Sequence, residues 1–311
     1  MTAVRHLRRY AWEAALIGVT LVWGSTFVVV KQGVDSVPVY SFNAIRFALA
    51  AVVLAACCAP GLRRLGRDGL RHGAVLGVFL FAGYAFQTVG LRHTDASRAG
   101  FITGMFVVFT PLLAALVLRR RPSASAWAGV ALATLGLALL SLRGSLLPAF
   151  GDVLVLGCAL AFAAHIVGLG AWSNRHAALP LTAVQLGVAA ALHTAVALVA
   201  EVPRASYHWD GRVVVALGLT AVLASAAGFW VQTAAQRVIP PTRTAIILTM
   251  EPVFAGLFGY VLLGERLALR GWAGALLILA GMLTAELGAA REPDLDEEQR
   301  DAASRQPAGM P

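Results

Sequence analysis

Two ionisable side chains stand where the sequence is otherwise apolar enough to sit in hydrocarbon. Glu251, followed by Pro252, lies in TAIILTMEPVFAGLFGYVLLGE, and Arg46 lies in PVYSFNAIRFALA. Ionisable groups at bilayer depth are costly and mark either a solute pathway or a paired structural site. A carboxylic acid there can gain and lose a proton and so bias one conformation against another. It can also stay ionised, capping backbone donors or locking its helix in a bundle. A guanidinium can hold the carboxylate or phosphate of a solute, neutralise the acid, or reach outward to the interface. Proline removes a backbone hydrogen bond beside the acid, a break tolerated only inside protein or against water. The Glu251–Pro252 pair therefore points to a cavity or a helix–helix seam.

Further polar groups are candidates for lining such a cavity: Trp23 and Thr26 in WGSTF, Asn43, Tyr84, Gln87, Thr103, His165, Gln185 and His193. Each is equally suited to a hydrogen bond with a neighbouring helix. Glu251, Arg46, Pro252 and Pro111 are the candidates for coupling or gating. Enzyme chemistry finds little support. Lys31 is the only lysine and is followed by Gln32, which excludes a Walker A phosphate loop. No H-E-x-x-H or G-x-S-x-G motif and no Cys/His cluster is present, so no catalytic residue, metal or cofactor is expected. Cys57, Cys58 and Cys158 lack ligand spacing and read as small packing residues.

The elements that position these residues follow from composition. Of 311 residues, 59% are hydrophobic and 13% charged, against roughly 25% charged in a soluble domain. Mean hydropathy is +0.74. Apolar stretches fall near 11–31, 39–58, 72–91, 98–118, 124–142, 151–171, 181–200, 212–231, 243–263 and 269–288. Each is long enough to cross about 30 Å of hydrocarbon as a helix. The fold class is thus all-α integral membrane, with ten transmembrane helices and loops too short for a soluble catalytic domain. The net charge of +9 lies between the spans and reads as a topology signal rather than as a nucleic-acid surface. With the N-terminus inside, the cytoplasmic side of the first half receives Arg5, Arg8, Arg9, Arg63, Arg64, Arg67, Arg71, Arg119, Arg120 and Arg121. The outer side receives Lys31, Arg92, Arg98 and Arg143, and this asymmetry places both termini in the cytoplasm. The second half has no such bias. RHLRRY leads into an uncleaved first span, and residues 289–311 read as a disordered cytoplasmic tail.

An internal repeat is visible. GYAFQTVGLRHTDASRAGFI from Gly83 and GFWVQTAAQRVIPPTRTAII from Gly228 are offset by 228 − 83 = 145. That shift superposes Gln87 on Gln232, Thr88 on Thr233, Arg92 on Arg237, Arg98 on Arg243 and Gly136 on Gly281. A shift of 142 pairs Pro38 with Pro180 and Asn43 with Gln185. Five spans per copy force the second copy to enter the bilayer from the opposite side, the inverted-topology arrangement of many secondary transporters. Glu251 has no acidic mate, since Thr110 precedes Pro111. The loop RRRPSASAW likewise lacks the GER of LLGERLALRGW. By span depth, Arg46 lies about 10–12 Å and Glu251 about 16 Å below the outer surface, close enough for a side-chain pair.

WGSTFVVVK, PVYSFNAIRFALA, FITGMFVVFTPLLAAL and LTMEPVFAGLFGYVLLGERL leading into WAGALLILAGM resemble the drug/metabolite transporter superfamily, EamA-like branch, over about residues 14–288. The resemblance implies ten helices in two inverted five-helix repeats, cytoplasmic termini and a central cavity. It also implies export, less often import, of small metabolites. The expected organisation is a cytoplasmic N-terminus (1–10), a first repeat (11–142), an inverted second repeat (151–288) and the tail (289–311). The expected function is a secondary transporter or exporter of small metabolites, amino acid or drug-like, working by alternating access in a multi-pass cell membrane. Two alternatives stand beside it: a lipid or lipid-carrier flippase, and an integral-membrane enzyme acting on lipid-linked groups. The expected partners are a small-molecule substrate and the lipid bilayer.

Overall fold

The computed structural model describes residues 2–34, 36–117, 124–141, 149–203, 206–239, 244, 247–248 and 250–289. The tail beyond 289, the RRR of the first half and most of 240–249 lie outside them. Twelve helices follow in order: α1 (Thr2–Gly33), α2 (Val39–Arg63), α3 (Gly66–Leu91), α4 (Ala96–Gly104), α5 (Phe106–Val117), α6 (Ala124–Ser141), α7 (Phe150–Trp172), α8 (Ala178–Val196), α9 (Gly211–Leu219), α10 (Gly228–Ala235), α11 (Met250–Leu263) and α12 (Leu269–Ala289). A π-helical stretch, Ala197–Glu201, extends α8, and a second, Thr220–Ala227, joins α9 to α10. Among the described residues there is no strand.

The reason for so much helix is the solvent. Hydrocarbon offers backbone groups no partner, and a helix satisfies its own. Among the described residues, seven helical segments are long and apolar enough to cross a membrane: 10–33, 39–63, 66–91, 96–117, 150–175, 178–201 and 211–235. Three shorter apolar helices, at 127–139, 250–263 and 269–284, accompany them. Side chains follow the same logic. Val52, Leu116, Val199, Val214, Val261 and Leu276 face outward, while Asn43, Arg46, Thr103, His165, Gln185 and Glu251 are buried. The molecule is apolar outside and polar within.

Helices from the first half pack mainly on helices from the second: α6 on α12, α2 on α8, α3 on α7 and α8, and α1 and α4 on α11. Small residues permit the approach. Gly73 and Gly77 of α3 lie against Val184, Val188 and the Gln185 carbonyl, and Gly100 and Gly104 of α4 lie against Ala255 and Pro252. The segment 96–117 is broken at Met105, which separates the short α4 from α5 two residues before Val107, whose carbonyl Pro111 leaves without its helical donor.

The α6–α12 contact is reciprocal. A methyl group at Gly136 would lie 2.6 Å from the Gly274 carbonyl oxygen and 2.7 Å from the Ile278 nitrogen. One at Gly281 would lie 2.6 Å from the Gly129 carbonyl oxygen and 2.8 Å from the Ala133 nitrogen. The two helices cross antiparallel with backbone touching backbone, so neither glycine can gain a side chain without parting them. Gly281→Val should therefore cost about 1–3 kcal/mol, read as a lowered thermal unfolding midpoint in detergent. Gly187→Ala in α8, where nothing stands within 4 Å, should leave the midpoint unchanged or raise it. Equal effects of the two substitutions would contradict this packing.

Candidate functional site

Between the halves lies a chamber lined by Trp23, Thr26, Tyr84, Gln87, His165, Gln232 and Glu251, with Phe27, Phe106, Phe162, Ile166, Phe229 and Leu248 completing its wall. Its volume is about 30 Å³. One water needs about 10–15 Å³, so this contracted conformation has no room for a solute of amino-acid size. Each polar wall group is held from behind. The Trp23 indole N–H donates to the Ala224 carbonyl at 2.8 Å. That carbonyl belongs to the π-helical stretch, whose wider turn leaves backbone groups in search of partners. His165 Nε2 meets Gln185 Oε1 at 2.8 Å, which places the ring proton on Nε2. Gln87 donates to Thr103 at 3.4 Å. The buried Gln232 amide oxygen has no protein partner and is available to a guest.

Arg46 stands behind Tyr84 and is almost wholly buried, with 1% of its surface exposed. Its Nε donates to Ser225 Oγ at 2.7 Å, and Nη2 lies 3.4 Å from the Tyr84 hydroxyl. The guanidinium carbon sits 4.6 Å from the Tyr84 ring centroid and 5.2 Å from that of Phe47, a cation–π setting. No ion pair within 4.0 Å joins Arg46 to Glu251; ion pairs of the described residues include those of Lys31 with Asp95 and Glu265 and of Arg98 with Asp152. The chamber thus carries a carboxylate on one wall, and on another a phenol backed by a buried cation. Of the sequence candidates, Asn43, Arg46, Thr103, Gln185 and His193 form the layer behind the lining. Asn43 donates to Thr88 at 3.0 Å, and His193 Nδ1 donates to the Ala189 carbonyl at 2.8 Å.

The far face, on which α1 ends and α2 and α4 begin, is closed by two carboxylates from the second half. Glu201 accepts from the Tyr40 and Ser41 amides at 2.9 and 2.7 Å and from the Ser41 hydroxyl at 2.8 Å. Glu265 accepts from the Ala96 and Ser97 amides, both at 2.9 Å, and from the Ser97 hydroxyl at 2.7 Å. Gly264, in the left-handed region at φ 64°, ends α11 and turns Glu265 back towards α4. Lys31 reaches Glu265 at 3.3 Å and the Thr94 carbonyl at 3.0 Å. Asp152 of α7 accepts from Thr94 at 2.7 Å and pairs with Arg98. On the near face the described contacts between the halves are of another kind. His72 and His176 share a hydrogen bond of 2.9 Å, and Gly61 packs on Pro180.

Sequence reasoning passed over Gln232, although the 145-residue shift had set it on Gln87; both line the chamber. It also passed over Glu201 and Glu265, whose signal was an acid at the end of an apolar run, in ALVAE and LLGE. The apolar wall residues carry no signal that separates them from lipid-facing ones.

Comparison with known proteins agrees with this geometry. The model of the EamA-like transporter family matches residues 11–142 and 149–285. An "uncharacterized transporter" of Archaeoglobus fulgidus is 34% identical over 280 residues, covering 90% of this chain and 87% of that one. A "probable amino-acid metabolite efflux pump" of Salmonella typhimurium is 27% identical over 286 residues, covering 85% and 91%. A crystal structure at 19% identity superposes with a TM-score of 0.63 over 89% of this chain and 96% of that chain, a likeness of fold.

Glu265, in the loop after α11, responds to pH in a defined sense. Burial pushes its carboxyl up, but the Ser97 amide and hydroxyl, the Ala96 amide and the Lys31 ammonium outweigh burial and hold it below the ordinary value. A carboxyl depressed in the folded state adds stability above its unfolded pKa and loses it as pH falls through the folded value. The stability gap between the parent protein and Glu265→Gln should therefore stay level from about pH 8 to pH 5 and close below about pH 4. Lys31 and Asp95 face the same group, and Lys31 stays charged throughout this range. Thermal unfolding across pH reads the gap; one that widens on acidification would contradict the assignment.

Proposed function

The chain belongs to the EamA-like transporter family, and from that premise we propose that it exports small zwitterionic, amino-acid-like metabolites across the cell membrane by alternating access. As a multi-pass membrane protein of that family it is a transporter rather than an enzyme. The observation that carries the substrate class is the polarity of the chamber. Glu251 supplies a counter-charge for an ammonium, and the Tyr84 hydroxyl, backed by Arg46, supplies a donor for a carboxylate. Such a pair of opposed poles suits a zwitterion and disfavours a solute carrying one charge or none. The aromatic wall of Phe27, Phe106, Phe162 and Phe229, with Ile166 and Leu248, is suited to an apolar side chain.

The architecture we propose is two inverted five-helix repeats, 11–142 and 151–288, between a cytoplasmic N-terminus (1–10) and a cytoplasmic tail (289–311). Three observations support it. Gln87 and Gln232 line one chamber from the two halves. Gly136 and Gly281 touch each other's neighbours reciprocally, as an isologous contact about a two-fold axis requires. Thr88 and Thr233 each tie their helix to a neighbour, Asn43 at 3.0 Å and Thr182 at 3.1 Å. With the basic residues of the first half inside, the far face is the outer one and transport runs towards it. Glu251 then doubles as the coupling residue: once the ammonium has left, it is the chamber group that takes a proton. Arg46 holds the opposite pole. Pro111 and Pro252 mark where the helices of the two halves bend.

Purified protein in liposomes loaded with single solutes tests the reading by exchange. Amino acids with apolar side chains should exchange, and their N-acetyl and amide derivatives should exchange at least about tenfold more slowly, the loss of one charge-assisted contact. Glu251→Gln should lower exchange of the parent amino acids by about tenfold or more and abolish its dependence on a pH gradient. Equal exchange of amino acids and their amides, or an unaltered Glu251→Gln protein, would overturn the proposal. Labelled lipids crossing in the absence of solute would favour a flippase.

A further inference from the structure

Two helix starts on the far face, those of α2 and α4, are capped from the other half of the molecule. By contrast α9, which starts on the same face, is capped by its own Asp210. A helix N-terminus in hydrocarbon needs acceptors for its first amides, and the residue preceding the helix ordinarily supplies one. Ahead of α2 stands Pro38, which has no side-chain oxygen. Ahead of α4 stands Asp95, a preferred capping residue in the extended conformation a cap requires (φ −77°, ψ 151°), yet its side chain makes no capping bond. The Ser97 amide, one of the two that such a cap would take, is held by Glu265. The Asp95 carboxylate instead lies 4.0 Å from the Lys31 ammonium. Two carboxylates, one on each side of the seam between the halves, are therefore placed to compete for one helix start.

The surroundings of α4 fit a moving part. It is only nine residues long, its continuation into α5 is interrupted at Met105, and it meets α11 largely through glycines, its own Gly100 and Gly104 and, under Phe101 and Ser97, Gly256 and Gly259 of α11. Its inner end carries Thr103, the partner of the chamber residue Gln87. Towards α7 it is bound by a buried ion pair of Arg98 with Asp152, which also accepts from Thr94 just ahead of α4.

We propose that the far-face gate is the seam between α4 and α11 and that it opens by exchange of caps: Glu265 withdraws with α11, and Asp95 takes over the amide it leaves. Lys31 follows Glu265 and releases the Thr94 carbonyl. Arg98 and Asp152 stay paired, so α4 moves with α7. Glu201 stays on α2, whose Pro38 offers no substitute, and that contact acts as the fixed strut of the far face. The exchange keeps the α4 amides satisfied in both conformations and so lowers the cost of opening. The inference rests on the alternating-access reading, but its test requires no solute.

Spin labels on cysteines at Arg92, where α3 leads into α4, and at Arg266, beyond Glu265, report the seam in protein freed of Cys57, Cys58 and Cys158 and placed in lipid nanodiscs. Both positions are exposed. The parent should give one short distance. Glu265→Gln should raise a second, longer population by about tenfold, and Ser97→Ala, which removes only the hydroxyl donor, should raise it less. In the Glu265→Gln background, Asp95→Ala should lower the longer population again, whereas Asp95→Asn, an equally good cap, should retain it. Glu201→Gln should cost stability without adding the longer distance. An unchanged distribution in both Glu265→Gln and Ser97→Ala, or Asp95→Ala and Asp95→Asn acting alike, would overturn cap exchange whatever solute the protein carries.

Discussion

Inside a bilayer a polar group without a protein partner has no water to turn to, and this constraint orders the whole molecule. It puts almost every described backbone group into helices, and it leaves the ends and irregular turns of those helices as the places where something extra must be supplied. The structure supplies it across the seam between its halves. Glu201 and Glu265 reach over to start α2 and α4, and Trp23 reaches over to the carbonyl of Ala224 in the π-helical turn. The contacts that finish the secondary structure are therefore also the contacts that join the halves. Relative motion of the halves and completion of the helices cannot be separated energetically.

The same constraint explains why the centre is chemically special. A guanidinium buried as deeply as Arg46 is tolerated because Ser225, Tyr84 and two aromatic faces surround it. Among the described residues no carboxylate pairs with it, and none of the cations pairs with Glu251 on the chamber wall. Leaving both poles unpaired with each other costs stability that a direct salt bridge would recover in part. On the proposed reading, a guest carrying both charges recovers it instead, and the recovery occurs only while the guest is bound. That is a physical basis for coupling occupancy to conformation, since a ligand shifts an equilibrium only by its differential affinity for the two states.

Much of the fold could be read in the chain because lipid imposes a coarse rule: long apolar runs become helices, and Glu251 or His165 within them must face inward. Trp23, Thr26, Tyr84, Gln87, His165 and Glu251 do line the chamber. The reading failed where position depends on the neighbour rather than on the run. Asn43, Gln185 and His193 are as polar as the lining residues, yet packing turns them to other helices. Phe162 and Phe229 look like lipid-facing residues until α3, α7 and α10 are brought together. Glu265 sits at the end of its run and reads as interfacial; only the left-handed turn at Gly264 reveals that it points back at another helix. The internal repeat was the most informative signal available, and carrying it through would have added Gln232 to the lining.

The central claim is that one chamber between the halves is reached alternately from both sides of the membrane. A cysteine at Gln232, in protein lacking Cys57, Cys58 and Cys158 and inserted with known orientation in sealed vesicles, tests it directly with a membrane-impermeant thiol reagent. Labelling from either side, slowed by a transported amino acid in both cases, is the result the account predicts. Labelling from one side only, or from both sides with no protection by any solute, would contradict it.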